Sequence, residues 1–98
     1  MFVFKVYQRG AERVLAACDA AILGQEFREG EIRLRVLEGF YGGERIERRE
    51  LAAQLRVCTI ANLVGNEAVA VAVELGLVDP QRVLRVGGVA HAQLAKGL

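Results

Sequence analysis

The chain has 98 residues, of which 53% are hydrophobic and 26% charged, enough apolar material for one packed core and too little length for a second domain. Thirteen basic and twelve acidic side chains leave a formal charge of +1, so the global basic excess of a protein that binds nucleic acid or anionic membrane by charge alone is missing. There is no serine, one threonine (Thr59), one histidine (His91), and only Asp19 and Asp79 as aspartates, which excludes a serine triad, a multi-histidine metal site and a calcium loop.

Residues 2–7 and 12–18 are short runs rich in β-branched and aromatic or small apolar side chains on either side of Gln8-Arg9-Gly10-Ala11, a pattern that predicts a β-hairpin. Asp19 stands at an N-cap position before Ala20-Ala21-Ile22-Leu23, and Gly24 supplies the left-handed residue that ends a turn or two of helix. Residues 25–30 read as a polar loop. Residues 31–37 alternate strictly, with Ile32, Leu34 and Val36 on one side and Glu31, Arg33 and Arg35 on the other, which predicts a half-buried strand. The three glycines of Glu38-Gly39-Phe40-Tyr41-Gly42-Gly43-Glu44 suit a tight loop with partly exposed aromatics, leading to a short strand near Arg45-Ile46.

Residues 48–57 place Leu51, Ala52 and Leu55 opposite Arg49, Glu50 and Arg56, the spacing of an amphipathic helix. Val57–Val64 fits a strand by its β-branched content, while Val57, Ile60, Ala61 and Val64 also share a helical face; both readings stay open. Helix 66–75 is expected next, with Asn66 as its cap, Glu67 in its first turn and Gly76 at its stop. Its side chains are apolar nearly all round, so it should be buried on most sides or pack against a second subunit in a homo-oligomer. Residues 83–86 and 89–94 flank Gly87-Gly88 as a second hairpin. The expected fold is a single small α+β domain over residues 1–98, two β-hairpins and a third strand packed against two main helices.

Eleven of the thirteen basic residues are arginine and ten of the twelve acids glutamate, which suits a surface ion-pair network or phosphate contacts. Cys18 and Cys58 lack a CxxC neighbour and sit in apolar runs, so they are expected as buried free thiols of a reducing compartment. No stretch approaches the roughly 18 apolar residues of a membrane span, nor does the N-terminus read as a signal peptide; the expected location is the cytoplasm.

The few uncharged polar side chains fall in three clusters. On strand 89–94 the period of two puts His91 and Gln93 on one face beside a Gly-Gly turn, where an imidazole and an amide could hold a planar ligand, a base edge or a carboxyl group; the plainer alternative is a half-buried histidine satisfied by a backbone carbonyl. Thr59, Asn62 and Gly65-Asn66 lie at the approach to the apolar helix, whose free N–H groups could take an anion or simply be capped. Phe40, Tyr41 and Glu44 form the third, where the aromatics could stack a base while Arg33, Arg35 and Arg45 contact phosphates. Equally, Phe40 could plug the core, Tyr41 cover an edge, and the arginines pair with Glu31, Glu38 and Glu44.

Phe40-Tyr41-Gly42-Gly43-Glu44, Thr59-Ile60-Ala61-Asn62-Leu63-Val64-Gly65 and Gly87-Gly88-Val89-Ala90-His91-Ala92-Gln93, together with Ala17-Cys18-Asp19 and Leu23-Gly24, resemble in order and spacing the small archaeal proteins grouped as domain of unknown function family 424. The resemblance runs over nearly the whole chain. Ala90 departs from it, standing where a proline is expected before the histidine, which should loosen the turn. The resemblance implies an archaeal cytoplasmic protein and no particular activity, and it adds weight to His91, Gln93, Asn62 and Tyr41. Two functional expectations follow. One is a non-catalytic binding module for RNA or a ribonucleoprotein, using Phe40 or Tyr41, Glu44, Arg33, Arg35 and Arg45. The alternative is a small enzyme or ligand-binding protein with His91 as acid or base and Asn62, Thr59 and Gln93 positioning a substrate. Neither calls for a metal or a cofactor.

Overall fold

The computed structural model describes residues 1–97. A six-stranded sheet is built from β1 (Phe2–Arg9), β2 (Glu12–Asp19), β5 (Glu44–Ile46), β6 (Ile60–Val64), β7 (Leu84–Val86) and β8 (Val89–Ala95), in the spatial order β5-β1-β2-β6-β8-β7. Every neighbouring pair is antiparallel except β2 and β6, which run parallel at the centre. Helices α2 (Arg48–Val57) and α3 (Asn66–Glu74) pack on one face; a separate hairpin of β3 (Glu26–Glu29) and β4 (Ile32–Arg35), with the one-turn helix α1 (Glu38–Tyr41), packs on the other.

The side-chain patterns explain this layering. In β2, Leu15 and Ala17 face the helices while Ala16 and Cys18 face the hairpin, and all four are fully buried. A strand covered on both sides reads as a continuous apolar run rather than an alternation, as Leu15-Ala16-Ala17-Cys18 does. On the helix face Leu51 and Leu55 of α2 and Ala68, Val69 and Ala72 of α3 meet Ala61, Leu63 and Ala92 of the sheet. The small side chains of α3 suit close approach to strands that present alanine. Its remaining apolar positions are not all covered: Ala70 is exposed and Val73 half-buried.

The α+β architecture agrees with expectation, with two differences in detail and one open reading decided. Residues 25–30 contain β3, because Glu26, Phe27, Arg28 and Glu29 find in Arg35, Leu34, Arg33 and Ile32 a partner strand that no local pattern announces. Residues 38–41, expected within a tight loop, coil into α1, closing with Gly42 N–H on Glu38 O at 2.8 Å. Of the ambiguous segment, Val57 ends α2 and Ile60–Val64 becomes strand β6, because β2 offers it a parallel ladder from Val14↔Ile60 to Cys18↔Val64, which a helix could not use.

The caps also change places. Asp19 does not cap the 3-10 turn Ala20–Ile22 that follows it. Its carboxylate crosses to α3, where Oδ1 accepts the Ala68 N–H at 2.8 Å and Oδ2 the Glu67 N–H at 3.1 Å. The backbone cap of α3 is Gly65, at φ 118°, and a Cβ there would collide with the Asp19 carboxyl group. Asn66, expected as the cap, turns its amide to the last hairpin: Oδ1 accepts the Ala90 N–H at 2.8 Å and Nδ2 donates to Gly88 O at 3.2 Å. Ala90 thus ties the hairpin to the start of α3 through an N–H that proline lacks. At the other end of the helix layer, Lys96 Nζ donates to Leu55 O at 2.6 Å and Arg56 O at 3.0 Å, the open carbonyls of α2.

Replacing Asp19 by Ala leaves two N–H groups at the start of α3 without an acceptor, so urea unfolding should show a loss of about 1–2 kcal/mol. Asp19→Asn, which retains an acceptor oxygen, should lose less.

Candidate functional site

The hairpin and α1 cover only half of the sheet face on which they lie. Leu34, Val36 and Tyr41 seal the row Val3, Cys18, Val64 and the neighbouring Val86. The next rows across the sheet, Lys5-Ala16-Asn62-Gln93 and Tyr7-Val14-Ile60-Ala95, follow from the strand registers and continue the same face. In these rows Gln93 and Ala95 are exposed, Tyr7, Val14, Ile60 and Asn62 half-buried and only Ala16 fully buried, while His91, next to Val64 at the end of the sealed row, is half-buried. This uncovered floor collects the polar side chains of two of the three sequence clusters.

Asn62 and Gln93 lie directly opposite each other on β6 and β8, and Gln93 Nε2 donates to Asn62 Oδ1 at 2.7 Å. The bond fixes both amides while leaving Asn62 Nδ2 and Gln93 Oε1 without a protein partner among the described residues. His91, two positions before Gln93 on the same face, stands between Val64 of β6 and Leu84 of β7. Two shallow depressions flank Gln93: one of about 300 Å³ beside Ile60, Asn62 and Ala95, the other of about 360 Å³ beside Arg82, Leu84 and His91. Burial lowers the His91 pKa below its ordinary 6.5, so at neutral pH the ring is uncharged, one nitrogen a donor and the other an acceptor.

Thr59 is not part of this floor. Its hydroxyl accepts the Arg13 N–H at 2.8 Å and donates to Arg13 O at 3.3 Å, tying the start of β6 to β2. Nor is Tyr41: it is only 6% exposed, and burial pushes its hydroxyl up to about 12, so the expected stacking role is closed to it. Phe40 is half-buried, with one ring face stacked on Tyr7 at 5.4 Å and its neighbour Tyr41 edge-on at 4.9 Å. Tyr7 Oη donates to Phe40 O at 2.8 Å and Lys5 Nζ to Gly39 O at 3.0 Å, so α1 forms one wall of the open floor.

The arginines divide. Arg33 and Arg35 project from the outer side of the β3–β4 hairpin, which lies against the edge strand β7, whereas Arg45 sits on the opposite edge strand β5 with Nε on Met1 Sδ at 3.1 Å. Glu44, exposed and opposite Phe4, takes no ion pair among the described residues, and neither do Glu31 and Glu38; the acid that meets Arg28 and Arg35 is Glu26. Sequence reasoning passed over Lys5, Tyr7 and Arg28. The alternation of the first strand carries a signal for Lys5 and Tyr7, which share a side with Val3, but not the register that sets them beside Asn62.

A family model described as "Protein of unknown function (DUF424)" matches residues 7–96, a span that includes all three clusters. The chain belongs to that family. Among solved structures, an uncharacterized conserved protein from Methanopyrus kandleri is similar to this DUF424 chain, with 27% identity and a TM-score of 0.82 over 99% of this chain and 94% of that one. No curated protein matches. Among the described residues, no helix of the DUF424 chain is long and apolar enough to cross a membrane.

Both cysteines are free and buried. Burial, reinforced by the Asp19 charge, pushes the Cys18 thiol up to about 12, and burial also raises Cys58. Neither thiol is a nucleophile at neutral pH. Native protein should resist alkylation by iodoacetamide until denaturant exposes both.

Because the folded-state pKa of His91 lies below its unfolded value, the unfolded chain binds more protons and stability falls as pH drops through 6.5 and below. Urea midpoints of wild type and His91→Gln should converge as pH is lowered from neutrality, with wild type showing the steeper loss.

Proposed function

We propose that this protein is a cytoplasmic, non-catalytic binding module that takes RNA, free or within a ribonucleoprotein, on the open half of its sheet. The observation that carries the reading is the bonded Asn62–Gln93 pair with His91 beside it. Together they present fixed amide donors, an amide acceptor and a neutral imidazole along one line of the sheet. The edges of unpaired bases offer complementary donors and acceptors, and unpaired RNA exposes them. Val14, Ile60 and Leu84 supply apolar surface beside the polar line, and the Phe40–Tyr7 stack bounds it.

The shape supports binding over chemistry. An enzyme site closes around its substrate and excludes water, whereas these depressions are broad and shallow. Among the described residues no carboxylate hydrogen-bonds to His91 to orient it as a general base, and the hydroxyl of Thr59 is committed to the backbone. The free, buried cysteines accord with a reducing compartment.

Fluorescence anisotropy with labelled single-stranded RNA tests this. Asn62→Ala combined with Gln93→Ala should weaken binding about tenfold, ~1.4 kcal/mol, and flatten the preference among base sequences. Equal affinity for wild type and the double variant would defeat the proposal. Binding of a free nucleoside monophosphate as tightly as the oligonucleotide would instead favour a small-ligand site at the same residues.

A further inference from the structure

The β3–β4 hairpin carries a charge distribution that its packing does not require. Its inner side holds Phe27 and Leu34 against the sheet, and Glu29, also inward, accepts the Gly87 N–H at 3.0 Å. The outer side presents Glu26, Arg28, Arg33 and Arg35 to solvent. Arg28 stands directly opposite Arg33, and like charges facing each other across an antiparallel pair are destabilising. The hairpin is a two-stranded sheet of its own, an arrangement with little stability to spare, yet it keeps this repulsion.

One carboxylate serves the group. Glu26 Oε2 accepts from Arg28 Nε at 2.9 Å and Oε1 from Arg35 Nε at 2.8 Å, and these bonds, Arg35 first, hold its carboxyl below the usual range. Both arginines bond through Nε, so no terminal guanidinium nitrogen of either is used by Glu26. Arg33 has no ion-pair partner among the described residues, although Glu31 is exposed in the adjoining turn. Three guanidiniums with one acid thus share a face of two short strands, those of Arg28 and Arg35 oriented by Glu26, and all three are open on the side away from the protein. Arginine forks in this setting match the paired oxygens of phosphodiesters.

We infer that the outer face of this hairpin, through Arg28, Arg33 and Arg35, is a phosphate-contacting surface for the RNA backbone. The inference rests on the RNA reading above and assigns backbone contact to residues away from the amide pair. Arg45, on the opposite edge of the sheet, takes no part.

Salt titration separates the two surfaces. Arg28→Gln with Arg33→Gln leaves the inner packing and the Arg35–Glu26 bond in place. Between about 50 and about 200 mM salt this variant should lower the slope of log affinity against log salt by about 1.4, two contacts at about 0.7 each for a single strand. Its affinity should fall about tenfold for all base sequences alike, whereas Asn62→Ala with Gln93→Ala should keep the wild-type slope. RNA binding that persists with an unchanged slope in Arg28→Gln/Arg33→Gln overturns this inference and leaves the base-reading floor standing. Short-chain inorganic polyphosphate is the second probe. If it binds wild type and not the arginine variant while RNA fails to bind, the anionic surface holds and the RNA reading falls. If neither probe binds, the inference is overturned.

Discussion

The carboxylate of Asp19 is the point at which the layers of this protein are joined. It ends β2, and it caps the helix that follows β6, the parallel neighbour of β2. Burial raises the Asp19 pKa and the two N–H bonds pull it back, with burial the stronger. The group thus gives up hydration to reach the helix terminus, whose partial positive charge and unpaired donors offset that loss. Its presence dictates what lies around it. Gly65 must lack a side chain, α3 must start where β6 stops, and β6 must hold its register on β2 for the two N–H groups to arrive at the carboxylate.

From that junction the position of the open floor follows. With β2 central and buried on both faces, the helices take one side, and the hairpin with α1 takes the other. The latter cover is too small: a hairpin of four-residue strands and a single helical turn seals Val3, Cys18 and Val64, with Ala16 beside them, and goes no further. The rows beyond carry side chains able to stand partly in water. Asn62 and Gln93 satisfy one another, so the amides remain ordered with nothing bound, and a ligand meeting them finds groups already oriented.

Much of this was legible in the chain. The two outer hairpins follow from β-branched runs around Gly10 and Gly87-Gly88, α2 from the spacing of Leu51 and Leu55, and the shared face of His91 and Gln93 from a period of two. What escaped was whatever depends on partners distant in sequence. Glu26–Glu29 is too polar to announce a strand and becomes one through β4. Asp19 has the local signature of a cap, and does cap a helix, but the helix begins 47 positions later at Asn66. The buried state of Tyr41 could not be read from a glycine-rich loop, because it depends on the roof that Leu34 and Val36 make with it. Similarly, Asn62 belongs with Gln93 only because β6 and β8 are neighbours.

The central parallel pairing bears on how the chain reaches this structure. β1–β2 and β7–β8 are hairpins that each form from adjacent residues. Arg13 and Thr59, which stitch β2 to β6, are 46 positions apart, and that span must close before the two hairpins share one sheet. Local pairings form in microseconds, whereas long-range ones are slow. The floor therefore cannot exist before β6 has docked, since Asn62 on β6 meets Gln93 on β8 only once β6 lies between β2 and β8.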